Sequence, residues 1–422
     1  MREKNRLFHR ENPPRLIGAT AETLYFSCYS LKNNFNIPPG LLSLREKITN
    51  PEPPSGGTLS PKIKPRAEAW PWLFDYERWE QGAEGMQRRP GQIAFEVLPR
   101  GRSHFWLVLK NDDMEIQTVR HFSAIYPTVY IQIRARLIWA VGYPNALRYC
   151  VDVAEKIFGR FINTALSRVD FTVDIENWEP TENYFRSRIV GRPVKSEKHI
   201  DHDISITGAY YVKTKFTGIR IGKGKPMLVR FYDKTEEILV NGTKTWFYEV
   251  WKKNGWSGKG RVWRVEFQCR RKVLAAFGFG DSVDSLDKFA GMFRYLTIDW
   301  IRLCIPNRTQ KQRTRWKTAP IWKLVQGANF GNGGDVTRAA QKIPERKQLM
   351  DQFHGVATTI AARYGVTTDA GLRKFIRYIL LTELTPDHIK KMQKKKALYD
   401  MLSLVKAESL KNGLDLRRQD RK

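Results

Sequence analysis

Apolar and polar residues alternate in short runs over much of the chain, and toward the C-terminus the period lengthens from two to the helical 3.6. TLYFSCY at residues 23–29 is rich in aromatic and β-branched residues and predicts a strand. The Pro/Gly/Ser-rich stretch 50–65 predicts an exposed loop. Between Gln92 and Arg136, the segments IAFEVLPR, HFWLVLK, EIQTVRHF and TVYIQIRAR each predict a short strand bounded by Gly, Pro or Asp. Residues 145–163 change to helical spacing, with Leu147, Val151, Ala154 and Ile157 or Phe158 on one face. A second strand-rich block spans 167–271, and beyond about Pro320 the pattern is helical.

Strands, one helix, more strands and then helices predict an α+β chain. A largely antiparallel catalytic sheet domain with flanking helices would precede a helical C-terminal domain. The expected divisions are an N-terminal strand and loop region at 1–66, a sheet domain at 67–325 and basic helices at 326–422. No internal repeat is evident in the sequence.

Three strands of the second block carry unusually polar faces. In SRVDFTVDI (167–175), alternation places Val169, Phe171, Val173 and Ile175 on the core side and Arg168, Asp170, Thr172 and Asp174 on the other. FTGIRIG (216–222) and MLVRFYD (227–233) flank a Lys/Gly/Pro turn and predict a hairpin. On its second strand Arg230, Tyr232 and Lys234 share a face, opposite Val229, Phe231 and Asp233. Cations beside Tyr232 favour its phenolate, a nucleophile toward a phosphodiester, and can hold the phosphate as well. In RVWRVEFQCR (261–270), Val265, Phe267 and Cys269 face the core, while Arg264, Glu266, Gln268 and Arg270 face away. If these strands are neighbours, one surface collects Asp170, Asp174, Glu266, Tyr232, Arg230 and Lys234. Such carboxylates suit a hard divalent cation, Mg²⁺ or Mn²⁺. The bland alternative is a half-exposed sheet whose outer charges form only surface ion pairs.

Charge sharpens the choice. The chain has 422 residues, with 73 Lys plus Arg against 43 Asp plus Glu, a formal net charge of +30. An excess of this size spread over the whole chain points to a polyanionic partner, nucleic acid before membrane. Four widely separated cysteines without a Cys-x-x-Cys pair argue against a zinc ribbon or a disulfide scaffold and fit a reducing cytoplasm. The first fifteen residues lack the apolar core of a signal peptide, no run suggests a membrane span, and a Walker-type loop is absent.

The ordered set SRVDFTVDI, GAYYVKTKFTGIRIGKGKPMLVRFYDKTEE and WRVEFQCR resembles the signature of the Rep_trans-type replication initiation factors. That family includes rolling-circle plasmid initiators and related proteins of filamentous phages and conjugative elements. The similarity extends over roughly residues 95–325 and includes RWKTAPIW. The resemblance implies a nicking and strand-transfer enzyme in which Tyr232 attacks an origin phosphodiester, leaving a 5′-phosphotyrosyl link and a free 3′-OH. It implies a metal site drawn from Asp170, Asp174 and Glu266, with the share of each Asp, and of Glu236 or Glu237, left open. Lys234 matches the motif lysine and is read here as a phosphate contact beside Arg230.

Implied partners are origin DNA, single-stranded or extruded as a hairpin, with a host helicase and polymerase; homodimerisation is left open. The sequence departs from familiar patterns at two places. His199 and His202 lack the His-hydrophobic-His spacing of other rolling-circle nucleases, and Glu22 stands where relatives often carry Asp. For DNA contact beyond the nick, Arg264 and the segment around Arg313, Arg315, Trp316 and Lys317 are candidates, the tryptophan for stacking on unpaired bases. Residues 360–376, with Gly365 at a turn, faintly resemble a helix-turn-helix. Two rival readings are a non-catalytic nucleic-acid-binding protein and a metal-independent tyrosine recombinase or topoisomerase.

Overall fold

The computed structural model of the chain describes residues 13–49, 70–82, 85–123, 126–191, 206–222, 226–279, 283–331, 346–382, 385–389, 392–393 and 396. His199 and His202 lie outside them. The chain divides into two compact units, Met1–Thr337 and Arg338–Lys422.

The first unit opens with β1 (Arg15–Ser30) and α1 (Pro39–Thr49). Next come β2 (Trp70–Asp75), β3 (Arg78–Gly82), β4 (Gly85–Arg89), β5 (Gln92–Val97), β6 (Leu107–Lys110), β7 (Met114–Thr118) and β8 (Val129–Ile133). Helices α2 (Ala135–Val141) and α3 (Tyr143–Phe158) lead to β9 (Phe161–Glu176), α4 (Glu182–Arg188) and β10 (Ile189–Gly191). Then follow β11 (Ile206–Val212), β12 (Lys215–Ile221), β13 (Met227–Asp233), α5 (Lys234–Asn241), α6 (Phe247–Lys253) and β14 (Val262–Arg270). The unit closes with α7 (Arg271–Ala276), α8 (Phe289–Tyr295), β15 (Ile301–Leu303) and α9 (Pro320–Gln326). The second unit holds α10 (Arg346–Arg363) and α11 (Asp369–Thr382), joined through a turn in which Gly365 has φ +75°.

Eleven strands form one sheet in the order β11-β12-β13-β14-β9-β1-β8-β7-β6-β5-β2, and every neighbouring pair is antiparallel. The α+β class with a helical C-terminal region is therefore correct. The first strand, β1, lies at the sheet centre, paired with both β8 and β9.

The sheet also repeats itself in a way the sequence conceals. In each half, a long strand of 16 residues (β1 or β9) is followed by a meander (β5–β8 or β11–β14) whose last strand returns beside the first.

One face of the sheet is largely apolar. Leu24, Phe26, Phe171, Val173, Phe231, Val265 and Phe267 project into a single core with α3, α8 and α9. The helical face expected around 145–163 is largely that of α3, with Leu147, Ala154, Ile157 and Phe158 buried and Val151 only half-buried. The helix stops where Gly159 takes φ +89°. Any Cβ there would stand 1.8 Å from the Asn34 carbonyl oxygen, so only glycine lets the chain turn directly into β9. Among the described residues no helix is long and apolar enough to cross a membrane.

Candidate active site

The other face of the sheet is polar, because β9, β13 and β14 alternate as their sequences require. Register aligns Gly218, Tyr232, Arg264 and Asp174 in one row across β12, β13, β14 and β9. Arg220, Arg230, Glu266 and Thr172 form the next row, and Gln268 opposes Asp170 beyond it. The three polar strand faces read from the sequence are thus one surface.

Helices α5 and α6 cover part of that surface with a small aromatic core of Phe247, Trp251 and Trp256, packed on Ile17 and Val262. What lies beneath is fully enclosed. Arg264 has no exposed surface; it donates Nε to Asp174 Oδ1 (2.6 Å) and Nη2 to Oδ2 (2.7 Å), and bonds Glu22 through Nη1. Trp251 Nε1 donates to Asp174 Oδ2 (2.8 Å), and the Phe247 ring lies 4.6 Å from the Arg264 guanidinium carbon. Both Asp174 oxygens are thereby engaged, and Asp174 does not line the open cleft beside it. The Arg264 of the DNA-contact expectation lies beneath the surface and supports the site from below.

The uncovered part is a cleft of about 550 Å³ lined by Tyr232, Arg230, Lys234, Glu266, Asp170 and Arg168, with Glu22, Tyr210 and Lys244 at its walls. Tyr232 donates its hydroxyl to Glu266 Oε2 (2.8 Å), and Arg230 bonds the other oxygen of the same carboxylate. Arg168 clasps Asp170, with Nε to Oδ1 at 2.8 Å. Lys234 is almost wholly buried and donates Nζ to Glu237 Oε2 (2.6 Å), standing 5.6 Å from the Tyr232 ring centroid. Asp233, between tyrosine and lysine, caps α5 through the Glu236 N–H (2.9 Å) and pairs with Arg261.

The expectation of a phenolate favoured by flanking cations is reversed. Burial and the Glu266 carboxylate push the Tyr232 phenol well above its ordinary value. Arg230 is neutralised by Glu266 and Lys234 by Glu237, so neither cation is spent on the hydroxyl. The geometry instead gives Tyr232 a proton acceptor within hydrogen-bond reach, the arrangement of a nucleophile with its base. Burial, together with Arg264, pulls the Lys234 ammonium below its ordinary value.

Burial is also the main cause raising Asp170 to about 7, with Glu266 adding to it. In EDTA, the folded state therefore keeps a proton that the unfolded chain releases near pH 4. Stability should fall as pH rises from about 4 to about 7 and level off above, and Asp170→Asn should flatten that slope. Thermal melts across this range check it; an Asp170→Asn profile parallel to wild type would refute it.

Glu22 is the residue that sequence reasoning undervalued. A register shift between Ala21 and Thr23 in the β1–β9 pairing turns it onto the polar face, and strand alternation gives no signal of such a bulge. Burial alone would raise its carboxyl, but Arg264, Lys234 and Lys244 hold it below its ordinary value, and its Oε1 is buried without a hydrogen-bond partner.

Gly218 acts as a spacer in the tyrosine row. A Cβ there would stand 2.4 Å from the Phe231 carbonyl oxygen and 2.8 Å from Tyr232 Cβ. Gly218→Ala should force β12 away from β13, costing about 1–3 kcal/mol of stability and displacing Tyr232. Urea denaturation reads the first effect; an unchanged midpoint would show that the strands part without strain.

The segment 313–317 is not among the cleft-lining residues. Arg313 donates to the Arg186 and Ser187 carbonyls and lies 4.9 Å from the Trp316 ring centroid, while Trp316 is half-buried and donates to the Gln310 carbonyl (2.8 Å). Arg315 and Lys317 are exposed. Among the described residues no three His, Cys, Asp or Glu side chains are grouped to hold a metal. The cleft offers the carboxylates of Asp170 and Glu266 as oxygen donors, and the unpartnered Glu22 Oε1. Two carboxylates with water and a substrate phosphate are a donor set that Mg²⁺ accepts.

No known family's sequence profile and no curated protein's sequence matches the chain. Among solved structures it is similar to a rolling circle replication initiator protein from Geobacillus stearothermophilus, at 12% identity and a TM-score of 0.38, over 76% of this chain and 99% of that one. A similarity this weak carries no residue roles.

Proposed function

We propose that the protein is a DNA strand-nicking and strand-transfer enzyme acting at a replication origin, with Tyr232 as nucleophile. The observation that supports this most directly is the Tyr232–Glu266 hydrogen bond at the floor of a cleft that also holds Arg230, Arg168 and Lys234. A half-buried phenol bonded to a buried carboxylate has little reason to be there for stability alone, since polar groups resist burial.

In this reading Glu266 accepts the phenolic proton as Tyr232 Oη bonds to phosphorus. The P–O3′ bond breaks, the released O3′ takes a proton, and the 5′ side stays on the protein as a phosphotyrosine. The phosphodiester's energy is kept in that ester for a later strand transfer. Arg230, drawn from its ion pair, and Lys234 hold the phosphate oxygens, and Arg168 orients Asp170. Asp170 and Glu266 would hold a Mg²⁺ or Mn²⁺ ion, which would supply Lewis-acid polarisation of the scissile phosphate. Asp174 supports the site through Arg264 without touching it.

The test is incubation of the whole chain with end-labelled single-stranded DNA carrying the element's origin, in Mn²⁺ or in EDTA, followed by peptide mapping of any covalent adduct. A metal-dependent adduct on Tyr232 is expected. Tight binding with no adduct in either condition would favour the non-catalytic DNA-binding reading, and an adduct indifferent to EDTA would favour a recombinase-like one.

A further inference from the structure

We infer that the polar face of the first half of the sheet continues the cleft as a seat for the unpaired DNA strand beside the nick. The seat is built from Arg168, Tyr25, Tyr130, Phe105, His104 and Tyr126. This rests on the nicking reading of the cleft and adds where the flanking strand is held.

Arg168 is shared between the two places. It lines the cleft and clasps Asp170, and its guanidinium carbon lies 5.1 Å from the centroid of the Tyr25 ring. Tyr25 opposes Arg168 in the β1–β9 register, and its neighbours Leu24 and Phe26 take the core side, so Tyr25 faces away from the core. From there the rings follow one another. Tyr25 and Tyr130 stand 5.9 Å apart, Tyr130 and Phe105 5.7 Å, Phe105 and His104 4.1 Å, and His104 and Tyr126 5.5 Å.

Phe105 is buried but outside the main core, and Tyr126 is 58% exposed at the far end. Phe105 and His104 are presented by a tight turn, closed by Arg102 N–H to Phe105 carbonyl and Phe105 N–H to Arg102 carbonyl bonds of 2.9 Å, with Ser103 at φ +53°. Gly101 is required beside it, because a Cβ would meet the Phe105 oxygen at 2.1 Å.

A row of rings joined to cations is what a sequence-tolerant single-strand site needs: faces for the bases, positive charge for the phosphates. Exposed Arg270 opposes Arg168 across β14 and β9, and Arg120 lies 5.4 Å from the Trp106 ring centroid beside the turn. The chain's net charge of +30 suits the same partner. Burial pushes the Tyr25 phenol up and the Tyr130 phenol to about 12. Both therefore stay neutral, as stacking surfaces rather than nucleophiles.

The experiment measures anisotropy of fluorescent oligo(dT) from about 4 to about 16 nucleotides with the full chain. Wild type, Tyr25→Leu/Tyr130→Leu, Tyr25→Phe/Tyr130→Phe and Tyr126→Ala are compared. Affinity should rise with length in wild type and in the Phe pair, and the Leu pair should lose about tenfold or more on the longest oligonucleotide. Tyr126→Ala, at an exposed site, should lose part of the length effect without a change in melting, which guards against misfolding of the Leu pair. Cross-links from 5-iododeoxyuridine should map to Tyr25, Tyr130 or Tyr126.

A length effect unchanged in both the Leu pair and Tyr126→Ala, or cross-links confined to other surfaces, would overturn the inference. Tighter binding of oligo(rU) than of oligo(dT) would overturn the assignment to DNA. Adduct formation on a short origin oligonucleotide is read separately. A missing adduct with the length effect intact counts against the nicking reading alone, and an adduct without a length effect counts against the seat alone.

Discussion

Replacing Tyr232 by Phe is expected to lower covalent adduct formation with origin DNA by about a thousandfold or more, leaving DNA binding within a few-fold of wild type. The change removes one oxygen from a half-buried ring whose position is fixed by β13, by Gly218 on one side and by Arg264 on the other. Glu266 loses a donor but keeps Arg230, so the carboxylate remains paired and the cleft should keep its shape. The comparison therefore isolates the nucleophile. An adduct that survives in Tyr232→Phe would move the chemistry to Tyr210, which faces the same cleft across Gly218. Glu266→Gln offers a second view, since it preserves shape while removing the proton acceptor. The rate of adduct formation should fall, and raising the pH should restore part of it as the phenol ionises unaided.

Arg264→Met should be the most destabilising single substitution in the sheet, by about 3–5 kcal/mol. The guanidinium is enclosed and holds Asp174 in a bidentate pair while also bonding Glu22. Removing it leaves Asp174 buried beside Trp251 without its cation, and takes from Glu22 at the cleft wall the guanidinium bonded to it. Neutralising Asp174 in the same chain, as Arg264→Met/Asp174→Asn, should recover part of the loss, because the penalty lies mainly in the orphaned charge. Denaturant midpoints of the two single variants and the double variant measure the coupling. A loss under about 1 kcal/mol in Arg264→Met would mean that water reaches the network and that it has no structural weight.

Much of the candidate site could be read from strand alternation. Period two assigned Asp170, Tyr232, Arg230 and Glu266 to one kind of face, and that assignment depends only on local backbone geometry. The same rule treated Asp170 and Asp174 alike, yet one lines the cleft and the other is sealed beneath α6. Alternation says which way a side chain points and nothing about what is packed over it. Tyr232 illustrates a second limit. Its neighbours in sequence are cations, but Glu266 and Glu237 neutralise them, and the carboxylate from β14 sets the proton's position.

By itself, the sequence determined the α+β class, the strand faces, the hairpin of β12 and β13 and the strongly basic character of the chain. All of these follow from period, turn chemistry and charge within short windows. Only the tertiary structure decided that β1 stands at the sheet centre, that the two halves repeat one topology, and that a bulge brings Glu22 into the cleft. It also decided which charges are buried as supports and which remain open to a substrate. Those outcomes depend on pairings between residues far apart in the chain, such as Arg264 with Asp174 at a separation of 90 and with Glu22 at 242. No local pattern encodes contacts of that range.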